Sequence, residues 1–372
     1  MKYLLLILFS LLCVLETFSL TTYVFFGSYN KNTSSDGIYI YKLDTNNGNL
    51  TKISSNRSIP NPSFLTLSPN GKFLYACTES LTKNAGSVSS YEFDTQNGTL
   101  KFLNVQKSCG ENPVYLTIDK SGKWLINANY TLSSISVYPI TDNGMINPAV
   151  QTLQFFEGSN VDPIRQDYSH LHSAVFSANQ DYMFFTDLGA DKIRTYKFHE
   201  SDLTPLQEDC TINSPPGSGP RHFTFHPNGL YAYCIEELEG AISVYRYSNG
   251  RLDSIQRVFT HPINYNKMIL SADIHISPDG KFLYASNRGN QNNIIIFEIK
   301  ENGTLSEVGY QSTFGEHPRI FTIDPSGQFL IVTNLISGNV VIFRRDKETG
   351  LLDKVGKKVK IKKVSFVLAR QY

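Results

Sequence analysis

Apolar and polar residues alternate along almost the whole chain, in runs of four to eight residues separated by turns rich in Gly, Asn, Asp and Pro. No stretch holds a helical period long enough to build a helix, so the pattern predicts an all-β protein. Six segments share one motif: an apolar strand, a turn built on S/D-P-x-G or a variant, then a second strand. They are NPSFLTLSPNGKFLYACTE from Asn61, NPVYLTIDKSGKWLINANY from Asn112, HLHSAVFSANQDYMFFTDL from His170, GPRHFTFHPNGLYAYCIEE from Gly219, ADIHISPDGKFLYASNR from Ala272 and HPRIFTIDPSGQFLIVTNL from His317. Successive copies start some 45 to 58 residues apart, the spacing of one four-stranded propeller blade with variable loops. Between them come two further strands, such as ISVYRY and NGRLDSI, which bring each unit to four.

The ends supply a seventh blade. Before Asn61 the chain offers three strands, TYVFFGS, GIYIYKLD and NLTKISS, with no inner strand before them, and VSFVLA at residues 364–369 has nothing to follow it. Pairing these ends closes the ring and leaves no open sheet edge. The expected architecture is a seven-bladed β-propeller, a single domain over residues 20–372.

Residues 1–19 read as a secretory signal. After Met1 and Lys2, residues 3–15 are apolar apart from Ser10, about the length of a signal core and short of the roughly 20 residues of a spanning helix. Thr17 and Ser19 are the small residues before a cut after Ser19, while Phe18 and Leu20 leave an uncleaved anchor as the alternative. The expected location is extracellular, or the lumen of the secretory pathway, with no membrane partner once the signal is removed. Sequons at Asn32, Asn49, Asn56, Asn97, Asn129 and Asn302 would then carry glycans at several positions. Of five cysteines, Cys13 leaves with the signal, Cys77 and Cys234 fall on interior strands, and Cys109 and Cys210 are expected as free thiols in loops. With 34 Lys and Arg against 33 Asp and Glu, no global field draws the chain to nucleic acid.

Repeated positions of a propeller occupy equivalent places, so a functional site shows as columns where some blades break the common type. Five residues before the turn Ser or Asp the six blades carry Ser63, Val114, His172, Arg221, Ala272 and Arg319. Eight residues after the turn Gly they carry Glu79, Tyr130, Leu188, Glu237, Arg288 and Leu335. Both columns fall near one mouth of the central channel, with His170, His222, Asp187, Glu236 and Asn287 as neighbours. Arg, His and carboxylate gathered there suit an anionic ligand and acid–base work. His170-x-His172 lacks the companions of a recognisable metal site, so no metal ligand set is expected. No P-loop, GxGxxG or nucleophile elbow occurs, so neither a nucleotide cofactor nor a Ser nucleophile is expected.

At RQDYSHLHSAVFS from Arg165, DLGADKIRTYKF from Asp187, GPRHFTFHPNGLYAYCIEEL from Gly219, ADIHISPDGKFLYASNR from Ala272 and HPRIFTIDPSGQFL from His317, the chain resembles the seven-bladed propeller lactonases. This is the family of bacterial-type 6-phosphogluconolactonase and eukaryotic carboxymuconate lactonizing enzyme. The resemblance implies a catalytic set of His172, Arg221, Glu237 and Arg288, all within the two columns, with His170, His222, Arg319 and Asn287 as substrate-binding candidates beside them. Glu236 stands where relatives often carry Asn, which bears on local charge and substrate choice. The implied activity is metal-independent hydrolysis of a small anionic sugar-acid lactone. Lactonizing cycloisomerisation and non-catalytic binding of an extracellular ligand are the alternatives. Glu237 or His172 would serve as acid or base, and Arg221 and Arg288 would clamp a carboxylate or phosphate and the oxyanion.

Overall fold

The computed structural model describes residues 20–30, 35–80, 86–262 and 264–372. The expected signal with Cys13, and the sequon at Asn32, lie outside the described residues. Those described form 28 strands in seven four-stranded antiparallel sheets, and no helix. Blades one to six are residues 62–107, 113–154, 171–213, 220–259, 271–312 and 318–360. In blade seven Val364–Gln371 is innermost, followed outward by Thr22–Ser28, Ile38–Leu43 and Leu50–Asn56. Thr22 pairs with Gln371 and Gly27 with Phe366, so the two chain ends close the ring as the missing inner strand required.

Each of blades one to six turns from its first to its second strand through a tight loop that needs a left-handed residue. Glycine supplies it in five blades, from Gly71 at φ 72° to Gly327 at φ 69°. Blade three has Gln180 there at φ 60°, and its side-chain Oε1 accepts the backbone N–H of Lys120 in blade two at 2.6 Å. The innermost strands of successive blades contact one another all round the channel.

The core lies between blade faces rather than within one sheet. Phe184 of blade three stacks on Phe223 of blade four with centroids 5.5 Å apart, and Phe25 meets Phe93 edge-on at 4.9 Å across blades seven and one. Buried tyrosines add a polar tie at the same interfaces. Tyr75, Tyr233 and Tyr284 donate to the carbonyls of Gly144, Gly303 and Gly350, each in the next blade's outer turn, at 2.8–3.1 Å. A Cβ at Gly303 would fall 2.3 Å from the Tyr231 ring, so that turn admits only glycine.

All four cysteines among the described residues are free, with Cys77 and Cys234 buried. One glycan expectation is corrected here. Asn129 is fully buried on the second strand of blade two, and its Nδ2 donates to Ser108 O and Ser134 Oγ at 3.0 Å. No glycan fits there, whereas Asn97 and Asn302 are exposed.

Candidate active site

The first column owes its position to a repeated irregularity of the innermost strands. In every blade the register with the second strand slips at that residue, between Leu171 and Ser173 in blade three and between Pro220 and His222 in blade four. The equivalent slips enclose Ser63, Val114, Ala272, Arg319 and, in blade seven, Ser365. A bulged residue leaves the ladder and its side chain is re-aimed, which is how His172 and Arg221 come to occupy the channel. Second-column residues follow the last position of the second strand. Their amides are held by the carbonyl just before the first strand, Glu237 N to Gly219 O at 2.8 Å and Arg288 N to Leu270 O at 3.0 Å.

Glu237 is the centre of the charged cluster. Its Oε2 lies 2.8 Å from Arg221 Nε and 2.8 Å from Arg288 Nη2, and its Oε1 accepts from Arg165 Nη2 at 2.6 Å. The carboxylate is buried, which opposes its charge, but Arg288, Arg221 and Arg165 outweigh that and hold it far below the usual carboxylate range. Arg221 is wholly buried. Its Nη1 donates to Ala272 O at 2.6 Å and meets His222 Nε2 at 3.2 Å, its Nε contact with Glu237 is not aligned as a hydrogen bond, and its Nη2 has no hydrogen-bond partner in the protein.

His172 sits beside this cluster, its ring 5.2 Å from that of His222 and 5.6 Å from that of Tyr130. Burial, with Arg221 and His222 adding to it, lowers its pKa well below 6.5, so the imidazole is neutral at pH 7 and its Nδ1 is buried without a protein partner. His170 stacks on Tyr130 at 4.4 Å and contacts Tyr130 O through Nδ1 at 3.0 Å.

Across the mouth, Arg319 reaches Glu79 Oε2 at 3.3 Å, and Tyr29 OH donates to the same oxygen at 2.5 Å. His317 Nε2 is 3.5 Å from Arg288 Nη1, and burial with Arg288 and Arg319 lowers its pKa to about 4. Four guanidiniums, of Arg165, Arg221, Arg288 and Arg319, therefore face two carboxylates, Glu237 and Glu79. The surplus is positive, and it favours an anion.

The geometry has close counterparts. The family described as "Lactonase, 7-bladed beta-propeller" matches residues 23–369. This chain belongs to the seven-bladed β-propeller lactonases. Among relatives of this lactonase chain, a 6-phosphogluconolactonase of Formosa agariphila is 44% identical over 81% of the chain and 86% of the relative. One from Bacillus subtilis is 33% identical over 82% and 86%. The solved structure of the periplasmic gluconolactonase of Pseudomonas aeruginosa superposes with a TM-score of 0.89, covering 94% of the chain and 99% of that protein at 32% identity.

Three expected neighbours of the lactonase site do not reach it. Asn287 is fully buried, accepts from Ser271 Oγ at 2.6 Å and donates to Thr260 O at 2.9 Å. It ties its blade to the preceding link, as Asn129 and Asn334 do in theirs, so it is not placed to bind substrate. Glu236 takes the same position in blade four, where Arg257 and Ser243 engage its carboxylate. Its departure from Asn is thus neutralised inside the blade and does not charge the pocket. Asp187 is likewise consumed by Arg194, Ser169 Oγ and His170 N. Conversely, the pattern of repeats concealed Arg165, which lies on a loop between blades two and three. Asp162 Oδ1 accepts the amides of Ile164 and Arg165 at 2.9 and 3.0 Å, and buried Gln166 anchors the loop to Leu188 O and Asp191. Tyr130 and Glu79 stood in the second column already; Tyr29 takes that column's place in blade seven, its amide held by Lys363 O at 3.1 Å, and His317 is the residue that opens the sixth copy of the repeat.

Proposed function

We propose that this mouth hydrolyses a small anionic sugar-acid lactone, with His172 as general base and Arg221 and Arg288 as the electrostatic clamp. Relatives named 6-phosphogluconolactonase and gluconolactonase support hydrolysis over ring closure. The observation that carries the residue roles is a pair of buried polar atoms in the cluster, His172 Nδ1 and Arg221 Nη2, that no protein group engages. With its proton on Nε2 the neutral imidazole offers an acceptor at Nδ1, and Arg221 Nη2 is a cationic donor, the two functions that water attack on a carbonyl requires.

In this reading His172 takes a proton from water as its oxygen bonds to the lactone carbonyl carbon. Arg221 stabilises the oxyanion. Collapse breaks the bond to the ring oxygen, and the imidazolium returns its proton to the departing alkoxide, leaving an open-chain hydroxy acid. Glu237 is unsuited to proton transfer, since three guanidiniums keep it ionised. Its part is to hold Arg165, Arg221 and Arg288 together against their mutual repulsion. Arg319 and His170 would contact the distal, anionic part of the substrate. The reading needs no metal ion. The apolar run at residues 3–15 and the exposed sequons at Asn97 and Asn302 support secretion, a placement for which the periplasmic relative is a precedent.

Hydrolysis of glucono-δ-lactone and its 6-phosphate, each with and without EDTA, tests the assignment. Turnover of at least one lactone that survives the chelator is expected. A protein inert on both, or inactivated by the chelator, overturns it.

A further inference from the structure

Behind Arg221 lies a hydrogen-bonded chain that the proposed reaction does not use. Asp273, on the innermost strand of blade five, is buried and accepts three contacts. His222 Nδ1 lies 2.7 Å from its Oδ1, while His275 Nε2 and the backbone N–H of Phe321 lie 2.9 and 3.0 Å from its Oδ2. Burial opposes its charge, but His275 and His222 hold its pKa far below the usual range, so Asp273 is an ionised acceptor. His222 is itself buried among Asp273, Arg221, the ring of His172 and the ring of Tyr115 at 5.5 Å. Burial and Arg221 lower its pKa to about 4 against the pull of Asp273. A neutral ring facing an obligate acceptor at Nδ1 carries its proton there. The lone pair of Nε2 is then directed at Arg221 Nη1, 3.2 Å away.

We infer that Asp273 and His222 form a positioning dyad for Arg221: the carboxylate selects the imidazole tautomer, and the imidazole, with Ala272 O, fixes the guanidinium so that Nη2 is left for the ligand. The same logic sets the histidine tautomer in hydrolase triads, but here the group served is an arginine. His275 secures the other side of Asp273, and His222, Asp273 and His275 together line a cavity of about 260 Å3 with Phe64, Tyr115 and Phe366. This inference rests on Arg221 being part of the ligand-binding machinery.

The test combines a spectroscopic signature with a rescue. In the wild-type protein, nitrogen-15 imidazole shifts of His222 should report the Nδ1–H tautomer near pH 7, and an Nε2–H tautomer overturns the dyad. Asp273→Asn presents an amide donor to Nδ1, reverses the tautomer and turns an N–H against Arg221, so kcat for lactone hydrolysis should fall by about 10–100-fold, less than in a triad because Ala272 O remains. Adding His222→Gln restores an acceptor for Arg221 that needs no tautomer control. The double variant should therefore exceed Asp273→Asn in kcat, whereas a merely structural Asp273 would leave it equal or worse. Should Asp273→Asn fail to fold, His222→Gln must retain more activity than His222→Leu, and equal loss in the two overturns the inference. If Arg221→Ala hydrolyses lactone as well as the wild type, the reading of the mouth has failed. A wild-type rate for Asp273→Asn beside an inactive Arg221→Ala refutes the dyad alone.

Discussion

Arg165 Nη2 lies 2.6 Å from Oε1 of Glu237, 72 residues further along the chain. A loop outside the repeat thus closes on the carboxylate where Arg221 and Arg288 already converge. The three cations come from three different elements and share one anion. A substrate carboxylate or phosphate would find donors whose spacing is already set before it binds.

Replacing Arg221 or Arg288 by Ala should lower kcat/KM for lactone hydrolysis by about 10²–10³, by analogy with the loss of one oxyanion donor. Two guanidiniums remain beside Glu237 in each variant, so the fold should survive. Stability should drop, by less than the roughly 3–5 kcal/mol of a buried charge left wholly unpaired. Steady-state kinetics and thermal melts check both parts, and near-wild-type turnover removes the clamp.

The pH profile separates the two candidate bases. A neutral His172 with a lowered pKa predicts kcat/KM that stays flat from neutral pH downward and falls only as pH drops through a value well below 6.5. Glu237, held ionised by its three arginines, contributes no limb in that range. Glu237→Gln should reduce the rate and leave the acid limb in place. Loss of that limb in Glu237→Gln would transfer the role of base to the carboxylate.

Stability should decline on acidification before ordinary carboxylates titrate. His172, His222 and His317 all have folded-state pKa values below 6.5, those of His222 and His317 near 4. Below pH 6.5 the unfolded chain binds protons that the folded one refuses, so stability falls as pH drops from 6.5 toward 4, at up to about 1.4 kcal/mol per unit for each group. Denaturant midpoints at pH 7.5 and pH 5 measure this, and His222→Gln should flatten the slope.

Thiol labelling reports on blade packing. Cys77 and Cys234 are buried in separate blades, and burial pushes the Cys77 thiol up to about 12 and that of Cys234 well above 9. Cys109 is exposed. In native protein a bulky disulfide reagent should modify Cys109 quickly and reach Cys77 and Cys234 only after denaturation.

Removal of residues 364–372 should abolish the soluble monomer. Thr22–Ser28 is buried along its whole length and pairs with Val364–Gln371, so truncation bares a long apolar edge of the kind that drives association. Size-exclusion chromatography and circular dichroism of the truncated chain test this.

The repeat, the closing strand and the two columns were legible in the sequence because each depends on local order: strand alternation, turn glycines and equal spacing recur blade by blade. Position within the repeat already indicated that His172, Arg221, Glu237 and Arg288 share one mouth. What it lacked was direction. Asn287 stands beside Arg288 in sequence, yet one points into the blade and the other toward the channel, because the second strand ends between them and the chain turns. Glu236 and Glu237 divide in the same way, and only their pairing with Arg257 or with three channel arginines tells a structural acid from one in the site. Arg165 obeys no period, since a loop between blades is placed by what it packs against, and Tyr29 takes a repeated place that shows only once the chain ends close the ring. Asp273 was hidden for a related reason, as its meaning depends on His222, 51 residues earlier and in the neighbouring blade. Periodicity determines which backbone positions are equivalent, whereas the contacts between blades decide which of those side chains are free to meet a ligand.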